Sequence, residues 1–242
     1  MTKMKTKGLN AGFLILASLL VLFSYLSIKR NIIWSDPLKI WEEAVRLSPY
    51  SSMAHYNLGI VLDKDGQLDL AMEEFQEAIR LNPSHALAHT SLGVAYNQKG
   101  LLDLAIEEHK KAILLDPDLS EAYNNLGLAF SASSQFNEAI ENYKIALGLN
   151  PWLLEAYNNI GIAYRKNMMF KEALETYEKA ITIDPGFSAA YNGIGVVYTN
   201  LGNFKEAEYW FRKTIEISPE SKAAQLAADN LARLDILLKT GY

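Results

Sequence analysis

Hydrophobic and polar positions recur along most of the chain with a period of 34 residues. Within one period, apolar residues fall at helical spacing on both sides of a short break, as they do between Tyr123 and Ala146. The pattern predicts an internal repeat in which each unit is a pair of helices. The positions that carry the period are Pro49, Pro83, Pro117, Pro151, Pro185 and Pro219; Gly59, Gly93, Gly127, Gly161 and Gly195; Ala71, Ala105, Ala139, Ala173 and Ala207; and Ala78, Ala112, Ala146 and Ala180, followed by Thr214.

The small residues and the prolines of the repeat have direct physical roles. Glycine and alanine on one helix face let two crossing helices approach, and large apolar side chains fill the remaining space. Proline ends each unit because it lacks an N–H and disfavours the helical conformation of the residue before it. Gly66, Gly100 and Gly202 are predicted to adopt the left-handed conformation that ends the first helix of a pair.

A 34-residue frame with His or Tyr, then Leu-Gly or Ile-Gly, then Ala and Pro at fixed spacing resembles the tetratricopeptide repeat, whose pattern is Trp-x2-Leu-Gly-x2-Tyr, then Ala-x3-Phe and then Pro. The resemblance implies an all-α fold, a right-handed superhelix (an α-solenoid) of antiparallel helix pairs whose inner wall is made of the first helices. Five full repeats are expected, at 52–85, 86–119, 120–153, 154–187 and 188–221. In the third, the motif positions are filled by Tyr123, Leu126, Gly127, Phe130, Ala139, Tyr143, Ala146 and Pro151.

Two repeats depart from this pattern at the turn between their helices. Ser134 and Met168 replace the turn glycine in the third and fourth repeats. Asn167 tolerates left-handed geometry better than Met168, which suggests that the fourth turn shifts by one residue. Softer turns are expected at 131–137 and 165–171.

The repeats are flanked by two further predicted helices. Asp36 and Pro37 are typical of a helix cap with proline at the first helical position, so residues 31–51 are predicted to form a half-repeat linker. Residues 222–242 are predicted to form a C-terminal capping helix that covers the last apolar face of the array. Its apolar positions include Ala223, Leu226, Leu231, Leu234 and Leu238.

Residues 1–30 predict a basic N terminus followed by a transmembrane helix at about 9–28. The stretch from Gly8 to Ile28 carries no charge, and a helix of that length is about 30 Å long, close to the thickness of a bilayer's hydrocarbon core. A cleaved signal peptide is the alternative, although Ser24–Ser27 lacks the pair of small residues that cleavage requires. Three lysines precede the span and two basic residues follow it, so the protein is predicted to be single-pass with its repeats extracytoplasmic.

Composition narrows the range of functions. The 242 residues are 50% hydrophobic and 21% charged, which excludes a disordered chain. The sequence has no cysteine, which removes disulfide frameworks, thiol nucleophiles and zinc ribbons. Five of the 23 basic residues lie in residues 1–30, so 18 remain against 28 acidic residues in the rest of the chain. That acidic body disfavours binding of nucleic acid, whose phosphates require a basic surface.

Candidate catalytic residues are few, and the chain is predicted not to be an enzyme and to use no cofactor or metal. His55 and His89 occupy the aromatic packing position that tyrosine fills in later repeats. His85 lies four residues before His89, as paired metal ligands do, but no third ligand accompanies them. Phosphate-binding glycine loops and nucleophile motifs are absent from the sequence. The acidic pairs of the second helices are expected on solvated outer faces: Glu73 with Glu74, and Glu107 with Glu108.

Asparagines just before the Leu-Gly or Ile-Gly pair of the first helices predict a peptide-binding groove. A side-chain amide both donates to a carbonyl and accepts from an N–H, so a run of asparagines can hold an extended backbone. The alternative is that these residues tie adjacent helices together. A basic spot lies one turn further along, without the lysine-rich pattern of family members that clamp a terminal carboxylate. The candidate residues are Asn57, Asn124, Asn125, Asn158, Asn159 and Asn192, with Arg165 and Lys166.

Two functions of different classes follow. The first is a membrane-anchored scaffold that binds a segment of a partner protein in its concave groove. The second is a non-catalytic accessory or tail component of a membrane glycosyltransferase system, because residues 30–59 resemble the junction between membrane helix and repeats in mannosyltransferase-like proteins. A soluble regulator released by signal cleavage is a further alternative. Partner identity and oligomeric state are not predicted.

Overall fold

The computed structural model describes residues 15–24 and 36–240, and every regular element within those ranges is a helix. The chain divides into two compact units, Met1–Pro83 and Ser84–Tyr242. The helical character of these elements confirms the predicted all-α class. The helices are α1 (15–24), α2 (Pro37–Leu47), α3 (Ser52–Lys64), α4 (Leu68–Leu81), α5 (Ala86–Gln98), α6 (Leu102–Leu115), α7 (Ser120–Ala132), α8 (Phe136–Leu149), α9 (Leu154–Lys166), α10 (Phe170–Ile183), α11 (Ser188–Asn200), α12 (Phe204–Ile217) and α13 (Lys222–Thr240).

The first unit contains α1, one helix pair and the helix before that pair. The Asp36 carboxylate accepts a hydrogen bond from the Leu38 N–H at 3.1 Å and Pro37 opens α2, as the predicted cap requires. Helix α2 packs against α3, and α3 packs along α4. Phe75 and the alanines at 71 and 78 are almost fully buried between the paired helices.

The second unit stacks four helix pairs and the C-terminal helix. Each of α7, α9, α11 and α13 packs against the second helix of the preceding pair, and adjacent first helices also touch. One buried cluster extends through this stack from Ala139 to Val197. Because each pair alone would expose an apolar side, stacking is what buries it.

A glycine in each first helix faces a ring from the second helix of the same pair. A Cβ added at Gly59 or Gly195 would lie 2.6 Å from the ring of Phe75 or Phe211, closer than real Cβ contacts. Gly93, Gly127 and Gly161 meet His109, Tyr143 and Tyr177 in the same way. The glycine series therefore persists because the ring of the second helix, rather than its backbone, fills the space of the missing side chain.

The turns between paired helices all contain a residue in the left-handed region. Gly66, Gly100 and Gly202 have φ of 76°, 73° and 75°, which confirms the prediction. Ser134 and Met168 adopt φ of 61° and 59° at the corresponding places. The expected shift of the fourth turn to Asn167 is wrong, because Asn167 caps α9 with φ of −86°. The stacking fixes the turn length, so the side chain at position 168 accepts the unfavourable conformation.

Helix α1 exposes most of its apolar side chains. Ile15, Leu20, Val21 and Phe23 are each exposed by 60% or more. In residues 15–24 and 36–240, no helix is both long enough and apolar enough to cross a bilayer. The predicted span at about 9–28 extends at both ends of α1 into residues outside the described ranges.

The C-terminal helix covers the end of the array only in part. Ala227 and Leu234 of α13 are buried against Ala207 and Phe211 of α12. Leu226 and Leu238, predicted to lie on the covered face, are instead exposed by 47% and 56%. A straight α-helix rotates its apolar residues out of one plane over five turns, so positions near the two ends leave the contact.

Candidate peptide-binding face

The first helices of the second unit share one side on which the side chains are half-buried or exposed, except for the buried Thr90. On α5, α7, α9 and α11, the third, seventh and eighth residues are buried, while the second, fifth, ninth and twelfth lie on another side of the helix. The ninth residue is a half-buried aliphatic side chain in all four: Val94, Leu128, Ile162 and Val196. We call this side of the four helices the first-helix face.

The predicted asparagines do not behave alike on this face. The Nδ2 of Asn159 donates to the Oδ1 of Asn124 at 3.1 Å, which ties α9 to α7. The Nδ2 of Asn230 on α13 donates to the Oδ1 of Asn192 on α11 at 3.3 Å. The alternative interpretation of the asparagines as ties between adjacent helices therefore holds for these residues, whose amides already have partners.

Two predicted asparagines keep their amide groups available. Asn125 and Asn158 are half-buried and make no side-chain hydrogen bond within the described ranges. Asn57 lies in the first unit, where its Nδ2 donates to the Met53 carbonyl at 2.8 Å. Gly193 stands where Asn57, Asn125 and Asn159 stand in other repeats, because a Cβ there would lie 2.4 Å from Cζ of Tyr177.

The two residues of the predicted basic spot lie in the last turn of α9. The Nη1 of Arg165 reaches the Oδ1 of Asn200 on α11 at 3.5 Å, a long and therefore weak hydrogen bond. The Nζ of Lys166 lies 5.6 Å from the centre of the Phe136 ring, within cation–π range. Neither side chain has a carboxylate partner within the described residues.

A cavity of about 210 Å³ lies where the first-helix face meets α13. Sequence reasoning missed it because α13 was treated only as a cap. The 34-residue period, continued past Pro219, places Arg233 at the position of Arg165 two repeats later. That correspondence could have indicated that α13 continues the first-helix face. The cavity is lined by Val196, Thr199, Phe211, Asn230, Arg233, Leu234 and Leu237.

The histidines of the aromatic position bond to glutamates of the second helices. The Nδ1 atoms of His55 and His89 lie 2.6 Å from carboxylate oxygens of Glu74 and Glu108. The prediction that these two glutamates lie on solvated outer faces is therefore wrong. Residues one apart on a helix point about 100° apart, so Glu74 turns inward while Glu73 faces solvent.

One histidine is buried without a polar partner. His109 is 0% exposed, and neither of its ring nitrogens has a hydrogen-bond partner among the described residues. Burial lowers the pKa of His109 to about 4, with a small opposing effect of the Glu108 charge. Burial likewise raises the pKa of Tyr177, whose hydroxyl is also unpartnered. In residues 15–24 and 36–240, no three His, Asp or Glu side chains are placed to hold a metal ion.

Family models support the repeat directly. The tetratricopeptide repeat model matches residues 120–153, 154–187 and 188–221, and a second TPR repeat model matches residues 64–100 and 95–134. Together the matches extend from residue 64 to residue 221. The chain belongs to the tetratricopeptide repeat family. Its helix pairs are therefore tetratricopeptide repeats, a scaffold suited to protein–protein interaction.

Solved tetratricopeptide repeat structures share the fold. The crystal structure of MamA is 32% identical, with a TM-score of 0.59, over 67% of this chain and 95% of MamA. YrrB, a TPR protein with an unusual peptide-binding site, is 24% identical, with a TM-score of 0.58, over 78% of this chain and 97% of its own. A thermophilic TPR protein of Thermus thermophilus is 21% identical, with a TM-score of 0.65, over 75% of this chain and all of its own.

The resemblance of residues 30–59 to mannosyltransferase-like proteins receives no support from these comparisons. No significant match was found among curated proteins. The family assignment therefore rests on the repeats themselves.

Proposed function

We propose that this protein is a membrane-anchored tetratricopeptide repeat scaffold that binds a segment of a partner protein on its first-helix face. The observation that carries the proposal is the line of half-buried aliphatic residues at the ninth position of four successive first helices. Leu128 and Val196 also pack against the buried clusters, but all four side chains are only half-buried, so the remaining surface of this line is available to a ligand.

Polar groups beside the aliphatic line suit an extended peptide. Asn125 and Asn158 each offer an amide that can donate to one backbone group and accept from another. The bonds of Asn159 to Asn124 and of Asn230 to Asn192 hold adjacent first helices in register. A rigid, partly apolar surface with a few free polar groups lowers the entropic cost of binding. YrrB, which shares the fold, provides a precedent for peptide binding by a tetratricopeptide repeat protein.

The proposed anchor is the apolar segment that contains α1. Its side chains at 15, 20, 21 and 23 are largely exposed, and such a surface is costly in water. The uncharged stretch from Gly8 to Ile28 has the length that a bilayer needs. The excess of lysines before it favours repeats on the extracytoplasmic side.

Photo-crosslinking tests the proposed binding face. A photoreactive residue at Ile162 on the first-helix face is compared with one at Lys179, an exposed position on α10. We expect a discrete crosslinked product from position 162 that is absent from position 179 and weakened by Asn158→Ala. The matched Asn142→Ala variant, on α8, should leave the product unchanged, since the Nδ2 of Asn142 donates to its own helix at Glu138. Identical products from positions 162 and 179, or none from 162, would contradict the proposal.

Membrane extraction and protease protection test the proposed anchor. The full chain should stay with membranes after alkaline carbonate treatment, whereas a chain that begins at Asn31 should be released. Protease added from outside should digest the repeats if they are extracytoplasmic. Release of the full chain by carbonate would refute the anchor, and protection of the repeats would refute the orientation.

A further inference from the structure

The arginines of the described residues fall into two groups. Arg46, Arg80 and Arg212 each form an ion pair with a glutamate three or four residues earlier on the same helix, at 2.5, 2.6 and 2.8 Å. Arg165 and Arg233 have no carboxylate within ion-pair distance in the part of the chain that the structure describes. The two unpaired arginines are therefore exceptions in a body with an excess of acidic residues.

Both unpaired arginines lie beside the same end of α11. Arg165 contacts Asn200, the last residue of α11, from the α9 side. Arg233 shares the cavity at α13 with Thr199, the residue before Asn200. The last turn of α11 thus has an arginine on each side, and the two arginines are 68 residues apart, two repeat lengths.

Acidic groups on the surrounding helices do not neutralise these arginines. Helix α11 contains no acidic residue. On α13, Asp235 pairs with Lys239, and Asp229 lies one turn before Arg233 without forming an ion pair with it. On α12, Glu208 pairs with Arg212. Glu155 lies in the first turn of α9, at the opposite end of the helix from Arg165.

Stabilisation of a helix end accounts for only one of the two arginines. Arg165 lies in the last turn of α9, where a cation interacts favourably with the helix dipole. Arg233 lies in the interior of α13, which ends at Thr240, so the dipole gives no reason for a cation there. A guanidinium presents a planar fork of donors that matches a carboxylate, which makes an acidic ligand the natural partner.

The cavity beside Arg233 adds an apolar requirement. Val196, Leu234 and Leu237 line it together with the ring of Phe211. Its volume of about 210 Å³ is enough for one aliphatic or aromatic side chain. Asn230 and Thr199, on its wall, are already hydrogen-bonded to Asn192 and to the Gly195 carbonyl. A ligand therefore meets two open cations and one apolar recess.

We propose that this end of the first-helix face selects acidic segments of a partner protein, with carboxylates bound by Arg165 and Arg233 and one apolar side chain in the cavity at α13. This inference rests on the proposed function, because it specifies the chemistry of the segment that the first-helix face binds. It distinguishes this protein from an array that holds peptide backbone through asparagine alone.

Selection from a library of random linear peptides displayed on phage tests the inference. The bait is the full chain in detergent micelles, as wild type, as Arg165→Gln with Arg233→Gln, and as the matched control Arg80→Gln with Arg212→Gln. Both double variants remove two positive charges, but the control removes arginines that are already paired with glutamates. Circular dichroism verifies that all three proteins are folded.

We expect peptides selected by the wild type to be enriched in Asp and Glu and to contain an aliphatic or aromatic residue. The best of them should bind the Arg165→Gln, Arg233→Gln variant about 10- to 100-fold more weakly, since charge-assisted hydrogen bonds are lost. Its affinity for the control variant should change less than about twofold. This result would support the inference.

Two other outcomes would overturn it, and they separate the inference from the proposed function. Peptides that bind without acidic enrichment, or that bind both double variants equally, would refute selection by the two arginines and leave peptide binding intact. Failure to select any peptide with the folded wild type would refute both.

Discussion

Replacement of His109 by phenylalanine should make the protein more stable and less sensitive to acid. His109 occupies the position that Phe75 and Phe211 occupy in other repeats. In all three repeats, a Cβ added at the facing glycine would lie 2.6 Å from the ring. Phenylalanine therefore fits the site. The substitution removes two buried ring nitrogens that have no partner among the described residues, and one such group costs roughly 1–3 kcal/mol.

The effect of pH follows from the lowered pKa of His109. The pKa in the folded protein is about 4 and the ordinary histidine value is 6.5, so the unfolded chain binds a proton first as the pH falls. The free energy of unfolding therefore decreases below about pH 6.5 and stops decreasing, as far as this group is concerned, below about pH 4. Between about pH 7 and pH 4.5 the expected loss from His109 is about 2 kcal/mol.

Urea unfolding followed by circular dichroism at both pH values measures this loss. Carboxylates and the other histidines also titrate, so the quantity to compare is the pH-dependent change in wild type minus that in His109→Phe. Tyr143→Phe is the matched control, because it alters the same position of the next repeat and removes no group that titrates in this range. Hydrogen exchange of α5 and α6 localises the effect if the array unfolds in stages. Equal pH dependence in wild type and His109→Phe would refute the assignment of a neutral, buried His109.

Two further substitutions test the packing of the repeats. Met168→Gly should raise the free energy of unfolding by about 1 kcal/mol, because Met168 has a left-handed φ. Asn167→Gly, at a position with negative φ, should not stabilise the protein. Thermal unfolding compares the two variants, and equal effects would contradict the reasoning. Gly193→Ala should destabilise by about 1–3 kcal/mol because the new Cβ would meet the Tyr177 ring at 2.4 Å. Gly148→Ala, with open space around it, should be neutral or stabilising by up to about 1 kcal/mol, and a similar loss in both variants would be evidence against the predicted clash.

The repeat was predictable because its signal is redundant. Proline, glycine and alanine recur at one spacing, and each residue type has a steric reason to stand where it does. The observed left-handed turns at Gly66, Gly100 and Gly202 follow from that spacing alone. Met168 was misjudged because local preference favoured Asn167, whereas the stacking of helix pairs fixes where the turn must fall.

Side-chain partnerships were harder to predict than helices. Glu74 and Glu108 were placed on outer faces because acidic pairs on a helix are usually solvated, and their bonds to His55 and His89 depend on residues 19 positions away. The asparagines illustrate the same limit. Nothing in the sequence distinguishes Asn159, which is bonded to Asn124, from Asn158, which makes no side-chain bond in the described part of the chain.

The C-terminal helix shows why a cap and a binding surface can be the same element. A terminal helix must bury enough apolar surface to hold its place, as Ala227 and Leu234 do, and its other side chains must tolerate water. Polar residues tolerate water, and two of them, Asn230 and Arg233, lie on the side of α13 that continues the first-helix face. Because Asn230 is tied to α11, Arg233 is held beside the cavity rather than free to move with a frayed end. Solubility at the end of the array and the proposed selectivity for an acidic ligand therefore depend on the same few side chains.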